Sequence, residues 1–399
     1  MPSALSYYQT RKRRKRRKLT GRVIPFNSRT IGEGDSIFSY VDGRSILQWL
    51  NIFLNGALKW SPNGVAATDA NAGHELALID ATVATLISEH APLKLVLMDG
   101  GTNDTNVTSP IGAAIASGEH FIDALNDNGT WVFYLAIPPR VDANGVAKAA
   151  DQLKINDTFK SWQDHKMLRV FEVDSVWDAS LSSDGTHQNT VMAYAAARKM
   201  ADDMWQMVEH GDPRDVLGAN LFLNPSFAVE TGGTIATGLQ GGSTIPQSWT
   251  VDNDTGATVT SSLVTRADGS KAIRLEVTGS ATVDTLDLRV FQAVTYTYDI
   301  NDAFEFVADV KIEAAGGAGG PPVGITGWAL IGANAVAFTQ SQAANLGGMN
   351  FQVDNTVRSA PRPYGAGGTA FTGGIYFRFA IGVVSARIEF SLPHICEFV

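Results

Sequence analysis

Cysteine is almost absent: Cys396 is the one thiol in 399 residues. No intrachain disulfide can form, and no site built from several thiolates can hold a metal. Long apolar runs are missing as well. Although 44% of the residues are hydrophobic, no stretch approaches the ~20 residues that a membrane-spanning helix needs, so no membrane span is expected. Positive charge is scarce outside one place. Asp plus Glu number 40 against 31 Lys plus Arg, a formal net charge of −9, which argues against a nucleic-acid binder over most of the surface. The exception is RKRRKRRK at 11–18, eight consecutive positive charges in front of a strongly acidic remainder. Such a run reads as a flexible, self-repelling arm, and it is the one place where nucleic acid or an anionic surface would be met. No apolar segment follows it before Pro25, so a secretory signal peptide is not expected.

Two textures follow the arm, and they divide the chain into an arm (1–27), an α/β unit (28–214) and a β unit (215–399). Between Ser28 and about His210, short apolar runs alternate with stretches of helical period, the pattern of βα units around a parallel sheet. Leu93–Met98, Trp131–Ile137 and Leu168–Val173 read as strands covered on both faces. The spacing predicts amphipathic helices over 45–54, 75–88 and 188–208, the last burying Met192, Ala196, Met200, Met204 and Val208 as core. Past Gly211-Asp212-Pro213 lysine becomes rare, glycine and threonine rise, and period-two alternation takes over. In 304–313, Phe304, Phe306, Ala308, Val310 and Ile312 alternate with polar residues, predicting one buried and one wet face. Similar strands are expected at 273–277, 286–290, 375–381 and 386–392, forming an antiparallel sandwich or jelly roll.

Four polar motifs punctuate the α/β unit at strand-to-helix junctions: Gly34-Asp35-Ser36, Asn71-Ala72-Gly73, Gly101-Thr102-Asn103-Asp104 and Asp184-Gly185-Thr186-His187. In a parallel sheet these loops leave the carboxyl ends of the strands, the edge where open α/β sheets hold ligands. Acyl transfer needs such a set: an alcohol nucleophile, a base, a carboxylate to orient the base, and donors for an oxyanion. Ser36, His187 and Asp184 fill the first three roles. The backbone N–H groups of Ser36 and Gly73 and the side-chain amide of Asn103 are the candidate donors. Three-residue spacing lets one tight turn bring Asp184 to His187 and fix its tautomer. None of the other histidines (His74, His90, His120, His165, His210, His394) has a carboxylate three residues before it. Asp99 and Asp104 read as structural groups that bond loop backbone. Neither a G-x-S-x-G elbow nor HExxH or cysteine–histidine ligand spacing occurs, so neither the α/β-hydrolase arrangement nor a metal is expected.

In this order the four motifs resemble those of the SGNH hydrolases, also called GDSL esterases and lipases. The resemblance covers about 28–210 and implies a flavodoxin-like three-layer α/β/α domain, hydrolysis of carboxylic esters by Ser36, and no metal or cofactor. It matches Ser36 to the nucleophile block, Asn103 to the oxyanion block and Asp184 with His187 to the last block. Gly56 and Gly64 are alternative matches to Gly73 for the glycine block. RTIGEG ahead of Ser36 is more polar than the strand usual there, and Ile37 stands where leucine is common.

Residues 220–227 (NLFLNPSF) and Pro246-Gln247-Ser248-Trp249 resemble the opening of carbohydrate-binding-module-like jelly rolls, an opening also found in bacteriophage tail proteins. Trp249 reads as core, whereas Trp328, Tyr364 and Tyr376 are candidates to stack on sugar rings. This pairing of units points to an acetylated polysaccharide as the ester partner, with the sandwich concentrating substrate. The alternatives are a phage tail or receptor-binding protein with a weakly active or inactive hydrolase unit, and a longer-chain lipase or thioesterase. The expected setting is a phage virion or the cytoplasm.

Overall fold

Apolar runs expected as strands lie side by side in a five-stranded parallel sheet in the computed structural model. The structure describes residues 24–39, 44–61, 70–106, 110–182, 184–282, 287–313, 325–331, 334–339, 353–364, 366–379 and 382–398. The basic run 11–18 lies outside these residues. The strands are β1 (Arg29–Glu33), β2 (Lys59–Trp60), β3 (Leu95–Met98), β4 (Trp131–Leu135) and β5 (Leu168–Phe171), in the order β2-β1-β3-β4-β5. Every residue of β3 and β4 is buried, because helices cover both faces.

Those helices are α1 (Ile46–Phe53), α2 (Leu76–Glu89), α3 (Ile111–Asp127), α4 (Ala143–Ala147), α5 (Ala149–Trp162) and α6 (Thr190–Met204). Strand alternation sends Leu95, Leu97, Phe133 and Leu135 toward the cluster that holds Trp49 of α1 and Met200 of α6. Val96, Met98, Val132 and Tyr134 belong to the other, with Ile79 of α2, Phe121 of α3 and Phe159 of α5. Burying each such side chain contributes roughly 1.5–3 kcal/mol. The expected stripe Met192, Ala196, Met200, Met204 and Val208 is buried throughout. Side-chain caps start both helices of the first face: the Ser45 hydroxyl accepts the Gln48 N–H, and the Asn189 side chain accepts that of Met192. Helices α3, α4 and α5 had no counterpart among the sequence expectations.

From Thr234 onward the described strands form two six-stranded sheets. Their pairs are antiparallel except where Thr234–Ile235 meets Thr250–Asn253. Aromatic side chains from the two sheets pack together, Phe304 of one lying 4.7 Å from Phe371 of the other, ring centre to ring centre. Trp249 is fully buried against Phe222, Phe227 and Phe390, the core role its sequence context suggested.

The expected wet face of 304–313 requires a correction. Glu305 is fully buried and paired with the fully buried Arg358. The cover comes from the other half of the chain: Arg358 also donates to the Gly56 carbonyl at 3.3 Å and to Asn27 Oδ1 at 2.9 Å. Beside it the Asn355 amide donates to Asn55 Oδ1 at 2.7 Å. The body begins before residue 28, since Ile24 N–H donates to Met207 O and its carbonyl accepts from Glu209 N–H.

Candidate active site

Ser36 stands on a tight turn just past the carboxyl end of β1. Gly34 opens that turn at φ +153°, and a Cβ there would lie 1.7 Å from Asp99 Oδ1, so only glycine fits. The same Asp99 oxygen accepts the Asp35 N–H at 3.0 Å, while Asp35 Oδ1 accepts the Ile37 N–H at 2.9 Å. Two carboxyl groups thus brace the backbone on either side of Ser36. Glu33, Asp35 and Asp99 are all buried, so the polar residues at the end of the strand lie inside the fold. Burial first, and then the charge and hydrogen bonding of Asp35, push Asp99 well above the usual carboxylate range, favouring its neutral form.

The loop after β5 carries the other two groups. His187 Nε2 lies 2.7 Å from Ser36 Oγ, and His187 Nδ1 lies 2.6 Å from Asp184 Oδ2. Asp184 Oδ1 accepts the backbone N–H groups of Thr186 and His187, each at 2.9 Å, and the Ser182 hydroxyl at 2.9 Å. Burial opposes ionisation of Asp184, but the hydrogen bonds from His187, Thr186 and Ser182 outweigh it and hold the carboxyl well below its ordinary range. An ionised Asp184 fixes the proton on Nδ1, so that Nε2 accepts from Ser36. Gly185 allows the turn with φ +78° and close approach to Asp142, whose N–H nitrogen would be 2.7 Å from a Cβ there.

The loops that carry Gly73 and Asn103 are bonded to each other, and the first of them to the nucleophile turn. The loop before α2 is tied to it by Asn71 N–H donating to Gly34 O at 3.0 Å. Asn103 Nδ2 donates to His74 O at 3.0 Å, and Asp104 Oδ2 accepts the Leu76 N–H at 2.9 Å. Gly73 is exposed, with open space where a Cβ would stand. Among the described residues no acceptor takes the N–H of Ser36 or of Gly73. Asp104 and Asp99 both bond loop backbone, the structural role read for them in the sequence. Burial, the largest cause, pushes Asp104 up to about 6. Of the alternative glycines, Gly56 is directed at the second half, where a Cβ would meet Arg358 and Pro213. Gly64 lies outside the described residues.

The suggested sugar contacts fare differently. Tyr376 is only 7% exposed and offers no open ring face, so burial corrects that assignment. Tyr364 is half-buried, its ring tilted against Tyr298 at 4.6 Å and edge-on to Phe304 at 5.6 Å. The side chain of Trp328 lies outside the described residues. Sequence reasoning missed Arg140 and Asp142, a buried guanidinium and a half-buried carboxylate just past β4 that bond the loops on both sides. The available signal was a charged Arg-Val-Asp following an apolar strand at the edge where ligands bind. It also missed Gln188, which donates to Ile37 O at 2.6 Å and Arg44 O at 2.9 Å and anchors the start of α6 to the nucleophile turn.

No family model and no curated protein matches the chain. Solved structures do. A carbohydrate esterase family 3 protein from Talaromyces cellulolyticus is 18% identical over 45% of this chain and 97% of its own, with a TM-score of 0.37. A carbohydrate acetylesterase family member from Sinorhizobium meliloti is 17% identical over 45% and 98%, at 0.38. An aryl esterase of M. smegmatis is 13% identical over 45% and 99%, at 0.37. Likeness of this degree decides nothing about the reaction, which has to be read from the side chains. Among the described residues, no helix is long and apolar enough to cross a membrane.

Proposed function

We propose that the chain is a serine hydrolase of carboxylic esters of the SGNH type, with Ser36 as nucleophile, His187 as general base and Asp184 as its orienting carboxylate. The observation that carries this reading is the unbroken line from Ser36 Oγ through the His187 ring to Asp184, at 2.7 Å and 2.6 Å. In the proposed cycle Ser36 Oγ attacks the ester carbonyl carbon as its proton passes to His187 Nε2. The carbonyl oxygen becomes an oxyanion met by the N–H groups of Ser36 and Gly73 and by Asn103 Nδ2. Collapse breaks the ester C–O bond, and His187 returns the proton to the leaving alcohol. Water, deprotonated by the same ring, then hydrolyses the acyl-Ser36 ester. Every group needed is on this chain, and no step calls for a cofactor.

The strand order β2-β1-β3-β4-β5 supports a flavodoxin-like layering of residues 28–214. The paired antiparallel sheets favour a sandwich of the jelly-roll kind for 215–399. With that pairing we propose an O-acetylated polysaccharide as substrate. Hydrolysis of a chromogenic acetate ester by the full chain, lost in Ser36→Ala, tests the reaction, and equal rates in the two proteins would overturn it. Acetate release across a panel of acetylated glycans tests the substrate. A rate rising steeply with acyl length, and no acetate from any glycan, would replace the polysaccharide with a lipid ester.

A further inference from the structure

Arg140 and Asp142 form a forked ion pair, Nε to Oδ1 at 2.8 Å and Nη2 to Oδ2 at 2.9 Å, and each partner reaches a different loop of the candidate site. On one side Arg140 Nη1 donates to the Thr102 carbonyl at 3.1 Å and to Thr105 Oγ1 at 3.4 Å, while Nη2 donates to Asn106 Oδ1 at 3.2 Å. These three residues flank Asn103 and Asp104. On the other side Asp142 Oδ1 accepts the Thr186 hydroxyl at 3.0 Å, and Val141 N–H donates to Gly185 O at 2.9 Å. Gly185 and Thr186 are the two residues between Asp184 and His187. The Arg140 side chain is 3% exposed, so the guanidinium cannot turn to water, and its planar fork has the geometry to hold a carboxylate and a loop at once. Asp142 is fixed in turn by accepting the N–H groups of Asn144 and Gly145 at the start of α4.

We infer that the Arg140–Asp142 pair is a positioning clamp that sets the distance between the oxyanion donor Asn103 and the base His187. The inference rests on the hydrolase reading above and adds to it a role for two residues outside the proposed triad and donor set. A donor worth 10²–10³-fold in kcat acts only where the oxyanion will be, and misplacement by about 1 Å can cost 10²-fold. The clamp supplies the one direct side-chain bridge between the two loops among the described hydrogen bonds. Its loss therefore leaves Asn103 present but out of register with the nucleophile and base.

A double-mutant cycle on the full chain, with the chromogenic acetate ester, tests this. In Arg140→Ala we expect kcat to fall by roughly 10²-fold with KM changed little, since the loss is confined to the transition state. Asn103→Ala, which costs about 10²–10³-fold alone, should cost less than about tenfold when added to Arg140→Ala. If the two losses multiply in full, or if Arg140→Ala keeps the wild-type kcat, the clamp is refuted. Should Arg140→Ala fail to fold, Thr186→Val cuts only the Asp142 link, and the same coupling to Asn103→Ala is required of it. Ser36→Ala is the control that separates the two claims: full activity there removes the hydrolase reading and the clamp with it, whereas an inactive Ser36→Ala beside additive Arg140 and Asn103 losses removes the clamp alone.

Discussion

His187–Asp184 and Arg358–Glu305 each set a carboxylate against a nitrogen-bearing side chain, yet their surroundings give them opposite duties. The side chains of the first are 29% and 50% exposed, and Nε2 of His187 is hydrogen-bonded to a hydroxyl 151 residues away. Those of the second are fully buried, and the Arg358 fork is taken up by Glu305, Asn27 and Gly56. Solvent access and a hydroxyl partner on the second ring nitrogen leave the first pair able to exchange a proton. A saturated pair in a low-dielectric site can only hold its neighbours in place, and there it joins the start of the α/β half to a strand of the second half. The difference separates chemistry from architecture without reference to residue type.

Substitutions can break or sharpen that contrast. The largest effect is expected from Asp184→Asn, which leaves the fold intact but removes the charge that fixes the His187 tautomer. Hydrolysis of the chromogenic ester should fall by about 10⁴-fold with the unfolding midpoint little changed. A variant within tenfold of wild type would put Asp184 among structural pairs. Arg358→Ala should do the reverse, leaving Glu305 buried and unpaired at a cost of about 3–5 kcal/mol in denaturant unfolding, with kcat near wild type at low temperature. Replacing both partners together by Met and Leu should restore most of that stability. If the double replacement is as damaged as the single one, the pair contributes more than mutual neutralisation.

A smaller effect, on the order of 3 kcal/mol, is expected from Asp104, whose folded value of about 6 stands above its ordinary 3.8. The folded chain holds this proton more tightly than the unfolded chain does. Stability is therefore whole below about pH 4, falls as pH rises from about 4 to 6, and stays reduced above that. Asp104→Asn keeps an oxygen for the Leu76 N–H and removes the titration. Unfolding curves at pH 4 and pH 7 should show the variant gaining on wild type at the higher pH. Parallel curves would contradict this burden on Asp104.

Legibility in the sequence tracked how local the determining contacts were. LKLVLM and WVFYLAI announced β3 and β4 because both faces of those strands are apolar. Asp184-Gly185-Thr186-His187 announced its own turn because both bonding partners lie within four residues. β1 was harder to read, since it carries the buried polar groups Thr30 and Glu33 and runs into Asp35, whose N–H is taken by Asp99 from another segment. Helix α3 starts with the small residues of IGAAIASG, which give a weak apolar stripe before Phe121. Alternation in 304–313 marked the strand correctly and its wet face correctly at Asp309, Lys311 and Glu313 but not at Glu305, because period two cannot reveal that Asn27 and Gly56 supply a lid for Glu305 and Arg358. The Arg140 clamp joins residues from 102 to 186, and no window of sequence contains it.

The reading of Ser36 as an activated nucleophile is met most directly by covalent trapping. The full chain is treated with a fluorophosphonate and the modified residue located by peptide mass spectrometry. A single adduct on Ser36, forming far more slowly in His187→Ala, is the expected result. An unlabelled chain, or one labelled elsewhere while hydrolysis continues, would contradict it.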